Sequence, residues 1–201
     1  MNDNYLYDYV SSLERVLSSG YAYKCSTKAL EKFISYSYYF QRVERDRKFF
    51  SPTIDDTSLV NSLFTDIHVE LKTVPEYSQC LWAAESYLRI QFETRLTFEA
   101  IFLYFPLEKM YECFNLYHEM DFTQIIDLFK SFYKNKSILS ILLKKYGKSL
   151  KEIANTTNIP YATLYSLKQR KRDIKKTSVE NALALADFFQ VRLETLIEME
   201  I

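Results

Sequence analysis

The chain has 201 residues, of which 48% are apolar or aromatic, enough to fill the core of one large domain or two small ones. Its two glycines and four prolines are too few for an architecture of many short strands and turns, so an all-α fold is expected. The formal net charge is zero, yet residues 136–201 carry twelve Lys or Arg and seven Asp or Glu, whereas residues 1–135 carry fourteen and nineteen. This surplus of five positive charges at the C-terminal end predicts contact with a polyanion.

The cysteines and the first residues bear on the cellular compartment. Cys25, Cys80 and Cys113 are widely spaced and odd in number, which favours reduced core thiols over a disulfide framework or a zinc site. The N-terminus lacks a basic stretch followed by an apolar one, and no apolar run approaches the roughly 20 residues that span a bilayer. The sequence therefore predicts a cytoplasmic protein that has no contact with a membrane.

Apolar side chains recur at helical spacing through most of the first 135 residues. We predict a loop at 50–57, where Pro52 and two aspartates interrupt the pattern. The predicted helices are Tyr5 to about Ser18, ending before Gly20, then a helix capped by Ser26-Thr27, Leu59 to Lys72, Tyr77 to Tyr104, Leu107 to Met120, and Asp121 to Phe132. The Tyr77 to Tyr104 segment has apolar residues on more than one face, which is typical of a helix in the middle of a bundle or shared with a second subunit.

A polar joint at Lys134-Asn-Lys-Ser137 separates an aromatic-rich region from a basic one, so we place a domain boundary at residue 135. Residues 1–135 are predicted to form a helical bundle that dimerises, senses a small ligand or binds a protein partner. Residues 136–201 are predicted to form a second domain.

The reactive side chains do not form a recognisable catalytic or metal site. His68 and His118 lie in different predicted helices without a partner at metal-ligand spacing. No Ser/His/Asp order, glycine-rich phosphate loop or pair of acids accompanies the carboxylates. We therefore expect a protein that is not an enzyme and that needs no cofactor or metal.

Three short helices are predicted after the joint, over Ser137 to Tyr146, Leu150 to Thr157 and Pro160 to Gln169. Gly147 suits the left-handed conformation that ends a helix, and Ser149 with Glu152 has the spacing of a capping box. Asn158 is the best non-glycine residue for a positive φ in the tight turn before Pro160. A connection this short sets two helices at a steep angle, as in a helix-turn-helix.

The third short helix has an apolar side and a polar, aromatic side. The predicted core of this domain consists of Leu139, Leu142, Leu143, Ile153, Ile159, Leu164, Leu167, Leu183, Ala186, Leu193 and Leu196. The side chains predicted to point outward from the helix are Tyr161, Ala162, Thr163, Tyr165, Ser166 and Gln169, which can contact base edges and thymine methyl groups. Six Lys or Arg side chains lie between Lys168 and Lys176, where they can neutralise phosphates on both sides of a groove.

Four segments of this region follow one another in a familiar order: Ser149-Leu-Lys-Glu-Ile-Ala154, Asn158-Ile-Pro-Tyr-Ala-Thr-Leu-Tyr-Ser-Leu-Lys-Gln-Arg-Lys171, Asn181-Ala-Leu-Ala-Leu-Ala-Asp-Phe-Phe-Gln-Val191 and Leu193-Glu-Thr-Leu-Ile197. Together they resemble the Cro/CI, or XRE, helix-turn-helix family. The resemblance covers about 60 residues and implies a five-helix DNA-binding domain. The chain departs from the family at Asn158 and Arg170, where glycine is common, and at Lys168, where an acid is common.

The resemblance implies a role for each helix of the motif. Leu150 to Thr157 is the positioning helix, and Pro160 to Gln169 is the recognition helix that enters the major groove. The implied base contacts are Tyr161, Ala162, Tyr165 and Ser166. With the basic cluster added, the implied contacts to the DNA backbone are Ser149, Thr163, Lys168, Gln169, Arg170, Lys171, Arg172 and Lys175.

Two functional hypotheses follow. The first is a transcriptional regulator that binds double-stranded DNA sequence-specifically, a repressor acting as a homodimer on a palindromic operator. The alternative is a protein inhibitor of phage or mobile-element type, similar to antitoxins or anti-CRISPR proteins. Its N-terminal domain would block a macromolecular partner while its C-terminal domain regulates its own promoter.

Overall fold

A computed structural model describes residues 3–22, 25–45 and 74–196. Over these ranges the chain forms eleven α-helices and two short 3-10 helices without a β-strand, which confirms the predicted all-α fold. The chain divides into two compact units, Met1–Asp127 and Leu128–Ile201. The loop predicted at 50–57 and the helix predicted over Leu59 to Lys72 lie outside the described residues. No helix in the described ranges is long and apolar enough to cross a membrane.

The helices are numbered in chain order. The first unit contains α1 (Asp3–Ala22), α2 (Thr27–Tyr36), α3 (Tyr38–Arg45), α4 (Tyr77–Thr94), α5 (Phe98–Tyr104) and α6 (Leu107–Tyr117). Helix α7 (Phe122–Asn135) begins in the first unit and ends in the second. The second unit continues with α8 (Ile138–Tyr146), α9 (Leu150–Thr157), α10 (Tyr161–Lys168), a 3-10 helix (Ile174–Lys176), α11 (Val179–Phe189) and a second 3-10 helix (Leu193–Leu196).

Helix α1 continues through Gly20 to Ala22, so the end predicted before Gly20 is wrong. A Cβ atom built on Gly20 would lie 2.2 Å from Cδ2 of Leu30 in α2. Glycine therefore allows α2 to approach α1 closely and does not end the helix. The next predicted boundary is confirmed, because the Ser26 hydroxyl accepts a hydrogen bond from the amide of Ala29 at the start of α2.

The segment from Tyr77 to Tyr104 forms two helices, which corrects the single helix predicted there. The Thr94 hydroxyl donates to the carbonyl of Ile90, and Arg95 takes the left-handed conformation with φ 59°. Thr97 then caps the new helix by accepting from the amide of Ala100. The break therefore comes from two threonines that bond the local backbone, a competition with helix geometry that apolar spacing does not reveal.

Two carboxylates link α2 to α6 in the first unit. The carboxylate of Glu31 in α2 accepts the amide of Leu107, the first residue of α6, at 2.7 Å. In the opposite direction, the hydroxyl of Thr27, the first residue of α2, donates to the carboxylate of Glu108 in α6. Each helix therefore supplies an acid that binds a donor at the beginning of the other.

Aromatic side chains fill the core of the first unit. Helix α1 packs against α4, where the rings of Tyr9 and Phe92 meet edge to face with their centroids 6.1 Å apart. The buried Tyr87 hydroxyl donates to the carbonyl of Phe105 at 2.8 Å. The largest fully buried side chains described in this unit are Tyr87, Phe40, Phe98, Phe105, Leu13, Leu17, Leu30, Ile34 and Leu88.

The cysteines are free thiols in the first unit. Cys25 and Cys80 are buried, and Cys113 is half-buried. Burial raises the pKa of the Cys80 thiol to about 11, so the group stays protonated and poorly nucleophilic at neutral pH. The burial of Cys25 and Cys80 agrees with the expectation of core cysteines, whereas Cys113 is only partly covered.

The core of the second unit contains most of the predicted residues. Those confirmed as buried are Leu139, Leu142, Leu143, Ile153, Ile159, Leu164, Leu167, Ala186 and Leu196. Leu183, in contrast, is 45% exposed, so its assignment to the core is wrong, and Leu193 is half-buried. Helix α11 turns Ala182, Leu185, Ala186 and Phe189 inward, a spacing of three and four residues that leaves Leu183 on the other side.

Candidate nucleic-acid interface

Helix α9 begins at a reciprocal cap. The Ser149 hydroxyl accepts from the amide of Glu152 at 3.2 Å, and the Glu152 carboxylate accepts the amide of Ser149 at 2.7 Å. These two bonds confirm the predicted capping box. The hydrogen bond from the Ser149 amide is the main cause that lowers the pKa of Glu152, with a smaller contribution from the nearby ammonium of Lys148.

A tight turn connects α9 to α10. Asn158 has φ 57°, the left-handed conformation predicted for it. The Thr157 hydroxyl donates to the carbonyl of Ile153, and the following Ile159 is almost completely buried. Pro160, with φ −55°, stands immediately before α10, so the observed helix is one residue shorter at each end than predicted.

Helix α10 has one buried side and one exposed side. Leu164 and Leu167 are buried in the core of the second unit. The four residues predicted to contact bases lie at helical spacing on the other side, and we call them the outer face: Tyr161, Ala162, Tyr165 and Ser166. Tyr161 is 54% and Tyr165 45% exposed, and their rings lie nearly parallel at 17°, with centroids 6.5 Å apart.

The turn after α10 depends on Arg170. This residue has φ 54°, so it adopts the conformation that glycine takes most easily. Its guanidinium donates to the carbonyls of Lys134 and Lys136 and lies 4.5 Å from the ring centroid of Tyr133. The side chain therefore fixes the turn to the end of α7 and to Lys136, which follows this helix.

The capping box, tight turn, exposed α10 and subsequent helices occur in the order of a helix-turn-helix domain. Residues 139–200 match the family model of the Cro/C1-type HTH DNA-binding domain. The second unit has the Cro/C1-type fold. No curated protein and no solved structure matches the chain. The presence of this domain supports a DNA-binding regulator in general.

Exposed cations follow α10 in the Cro/C1-type domain. Lys171, Arg172, Lys175 and Lys176 are all exposed. Two local bonds shape this segment, since the Asp173 carboxylate accepts the amide of Lys175 and Arg172 donates to the carbonyl of Lys176. The backbone is therefore held while long basic side chains remain at the surface.

The other residues predicted to contact the DNA backbone differ in exposure. Ser149 and Gln169 are exposed, whereas Thr163 and Lys168 are half-buried. The guanidinium of Arg170 is half-buried as well and bonds to backbone carbonyls. Contacts between these side chains and DNA stay predictions.

Ser137 links two helices of the domain through a hydrogen bond that the sequence did not reveal. The buried Ser137 hydroxyl accepts from the amide of Ser140, which caps α8, and donates to the carbonyl of Lys168 at 2.8 Å. The last residue of α10 is thus tied to the first turn of α8. A serine before an apolar run indicates a helix cap, but it carries no signal for a partner 31 residues away.

In the described part of the chain, no group of three or more His, Cys, Asp or Glu residues could hold a metal ion. The described histidine, His118, stacks on the ring of Phe114 with centroids 4.4 Å apart. His68 lies outside the described residues.

Proposed function

We propose that the protein is a transcriptional regulator, a repressor that binds a palindromic operator in duplex DNA as a homodimer. The observation that carries this proposal is the exposed outer face of α10 within a Cro/C1-type domain. The two partly exposed aromatic rings form a patch on one side of the helix, and contact with base edges in a major groove would cover this patch.

Charge supports the same function. The surplus of five positive charges in residues 136–201 favours association with phosphates, and Lys171, Arg172 and Lys175 project from the segment that follows α10. We assign the outer face to base contacts and these exposed cations to phosphates on the rim of the groove.

We infer a dimer because the base-reading surface of one copy is small. One recognition helix contacts few base pairs, whereas two helices on half-sites one helical turn apart multiply the specificity. We assign to the first unit the task of pairing two copies or of binding a regulatory ligand or protein. Its 12 Lys or Arg against 19 Asp or Glu, a deficit of seven positive charges, make it a poor surface for DNA.

Selection of genomic fragments by the full-length protein tests this function. We expect the protein to retain fragments with two inverted half-sites about 10 base pairs apart, and to release them as salt is raised. Deletion of the gene should raise transcription from promoters that contain these sites. Retention of all fragments alike at every salt concentration would refute sequence-specific regulation.

Tyr161→Ala separates specific from general binding. The variant should lose affinity for the selected site but keep the weak affinity for unrelated duplexes, because Tyr161 belongs to the base-reading face. Tyr38→Ala is the matched control, since this tyrosine of α3 is 72% exposed in the first unit. Equal losses on both classes of DNA would contradict the role given to Tyr161.

A further inference from the structure

The outer face of α10 lacks the side chains that recognise purines through paired hydrogen bonds. Bidentate recognition of guanine uses Arg or Lys, and that of adenine uses Asn or Gln. None of these residue types occurs among Tyr161, Ala162, Tyr165 and Ser166, and the exposed Gln169, which follows the last residue of α10, is assigned to the DNA backbone. The face therefore has to distinguish base pairs by other means.

The hydroxyl of Ser166 is also committed inside the helix. It donates to the carbonyl of Ala162 at 2.8 Å, so its hydrogen is not offered to a base. Ala162 contributes only a methyl group. What the outer face presents is thus mainly the two phenol rings and the methyl group of Ala162.

The two rings are arranged at a regular spacing. Tyr161 and Tyr165 are separated by one helical turn, and their near-parallel rings have centroids 6.5 Å apart. Successive bases on one DNA strand rise by about 3.4 Å, so two steps rise by about 6.8 Å. The ring spacing is therefore close to the axial rise of two base-pair steps.

Thymine is the base that carries an apolar group in the major groove, its C5-methyl. We propose that Tyr161 and Tyr165 recognise the methyl groups of two thymines that lie two base-pair steps apart in each half-site. This inference rests on the proposed function and specifies the chemistry that the same surface selects. It assigns specificity to apolar contact, with the exposed cations supplying affinity that does not depend on sequence.

Replacement of thymine by deoxyuridine tests the inference, because uracil keeps the hydrogen-bonding edge and lacks only the methyl group. With the full-length protein and its selected operator, each critical replacement should weaken binding about fourfold, the factor expected for loss of one buried methyl group. Replacements outside the half-sites serve as controls and should leave the affinity unchanged. A selected operator that binds equally well with uracil at every thymine would overturn this inference and leave the proposed function intact. Failure to select any operator would overturn both.

Variants of the two tyrosines identify the side chains that contact the methyl groups. Each alanine variant is measured on the thymine and the uracil operators in a double-mutant cycle. In Tyr161→Ala, one of the two uracil replacements should no longer weaken binding, and in Tyr165→Ala the other should no longer do so. Tyr161→Phe and Tyr165→Phe keep the rings and should keep the full effect of uracil. Sensitivity to uracil that persists in both alanine variants, or disappears in the phenylalanine variants, would overturn the assignment to the rings.

Discussion

The guanidinium of Arg170 lies 4.5 Å from the ring centroid of Tyr133, and its terminal nitrogens donate to the carbonyls of Lys134 and Lys136. A residue placed after α10 is thus attached to the end of α7. Arg170 therefore has a structural role within the domain. Experiments can distinguish this role from a contact between Arg170 and a DNA phosphate.

Arg170→Ala should lower the free energy of unfolding by about 1–2 kcal/mol, since it removes a cation–π contact and charge-assisted hydrogen bonds. Arg170→Gly should recover about 1 kcal/mol of that loss because glycine adopts φ 54° without strain. Urea unfolding of the three proteins measures both effects. An Arg170→Gly variant less stable than Arg170→Ala would contradict the account of the turn.

The same alanine variant should bind DNA more weakly without changing the slope of log affinity against log salt. A side chain that neutralises a phosphate instead lowers this slope by about 1 when it is removed. Lys171→Ala provides the comparison, because Lys171 is exposed in the adjacent position and should show the lower slope. A lower slope for Arg170→Ala would place its guanidinium at a phosphate in the complex.

Ser149→Ala should destabilise the domain by about 1 kcal/mol through loss of the cap on α9. Ser149→Asp keeps an acceptor at this position and should restore stability. Its added negative charge should nevertheless weaken DNA binding if Ser149 lies against a phosphate. Thermal unfolding and binding measured on the same two variants separate capping from contact with DNA, and unchanged DNA affinity in Ser149→Asp would remove Ser149 from the interface.

Glu152 should make the stability of α9 depend on acid pH. Its pKa is lowered in the folded protein, mainly by the hydrogen bond from the Ser149 amide, so ionised Glu152 stabilises the fold above its usual pKa of 4.5. This contribution is lost as the pH falls through the lowered pKa. Glu152→Gln cannot titrate, so the stability difference between wild type and variant should shrink below pH 4.5. A difference that stays constant from pH 7 to pH 3 would refute the contribution of the ionised cap.

Gly20→Ala should destabilise the first unit, although alanine is the better helix former by about 1 kcal/mol. The added Cβ would lie 2.2 Å from Leu30, and overpacking of this kind costs about 1–3 kcal/mol. In a Leu30→Ala background the clash is absent, so the same substitution should become neutral or stabilising. Chemical denaturation of the four proteins gives the coupling, and additive effects would show that the two residues do not interfere.

Local signals predicted the second unit well. The capping box of Ser149 and Glu152, the left-handed turn at Asn158 and the helix end at Gly147 each depend on residues a few positions apart. Such contacts form within a single turn, so residue type and spacing are sufficient to predict them.

Features that depend on tertiary packing were not predictable in this way. Gly20 lies within a helix because Leu30 occupies the space beside it, and Leu183 is exposed because α11 turns other residues inward. In the candidate site, the residues of the outer face followed from the resemblance to the Cro/CI family, but the bonds of Arg170 to a segment more than 30 residues earlier did not. The sequence contained one indication of these bonds, namely an arginine at a position where the family commonly has glycine.

The contacts of Arg170 also determine which fragments of the chain keep the turn after α10 attached to α7. A fragment that starts at Lys136 contains every residue that matches the Cro/C1-type family model, yet it lacks the ring of Tyr133 and the carbonyl of Lys134. A fragment that starts at Asp121 retains both, together with the whole of α7. The residues that match the family model and the residues that hold the turn after α10 in place therefore begin at different positions.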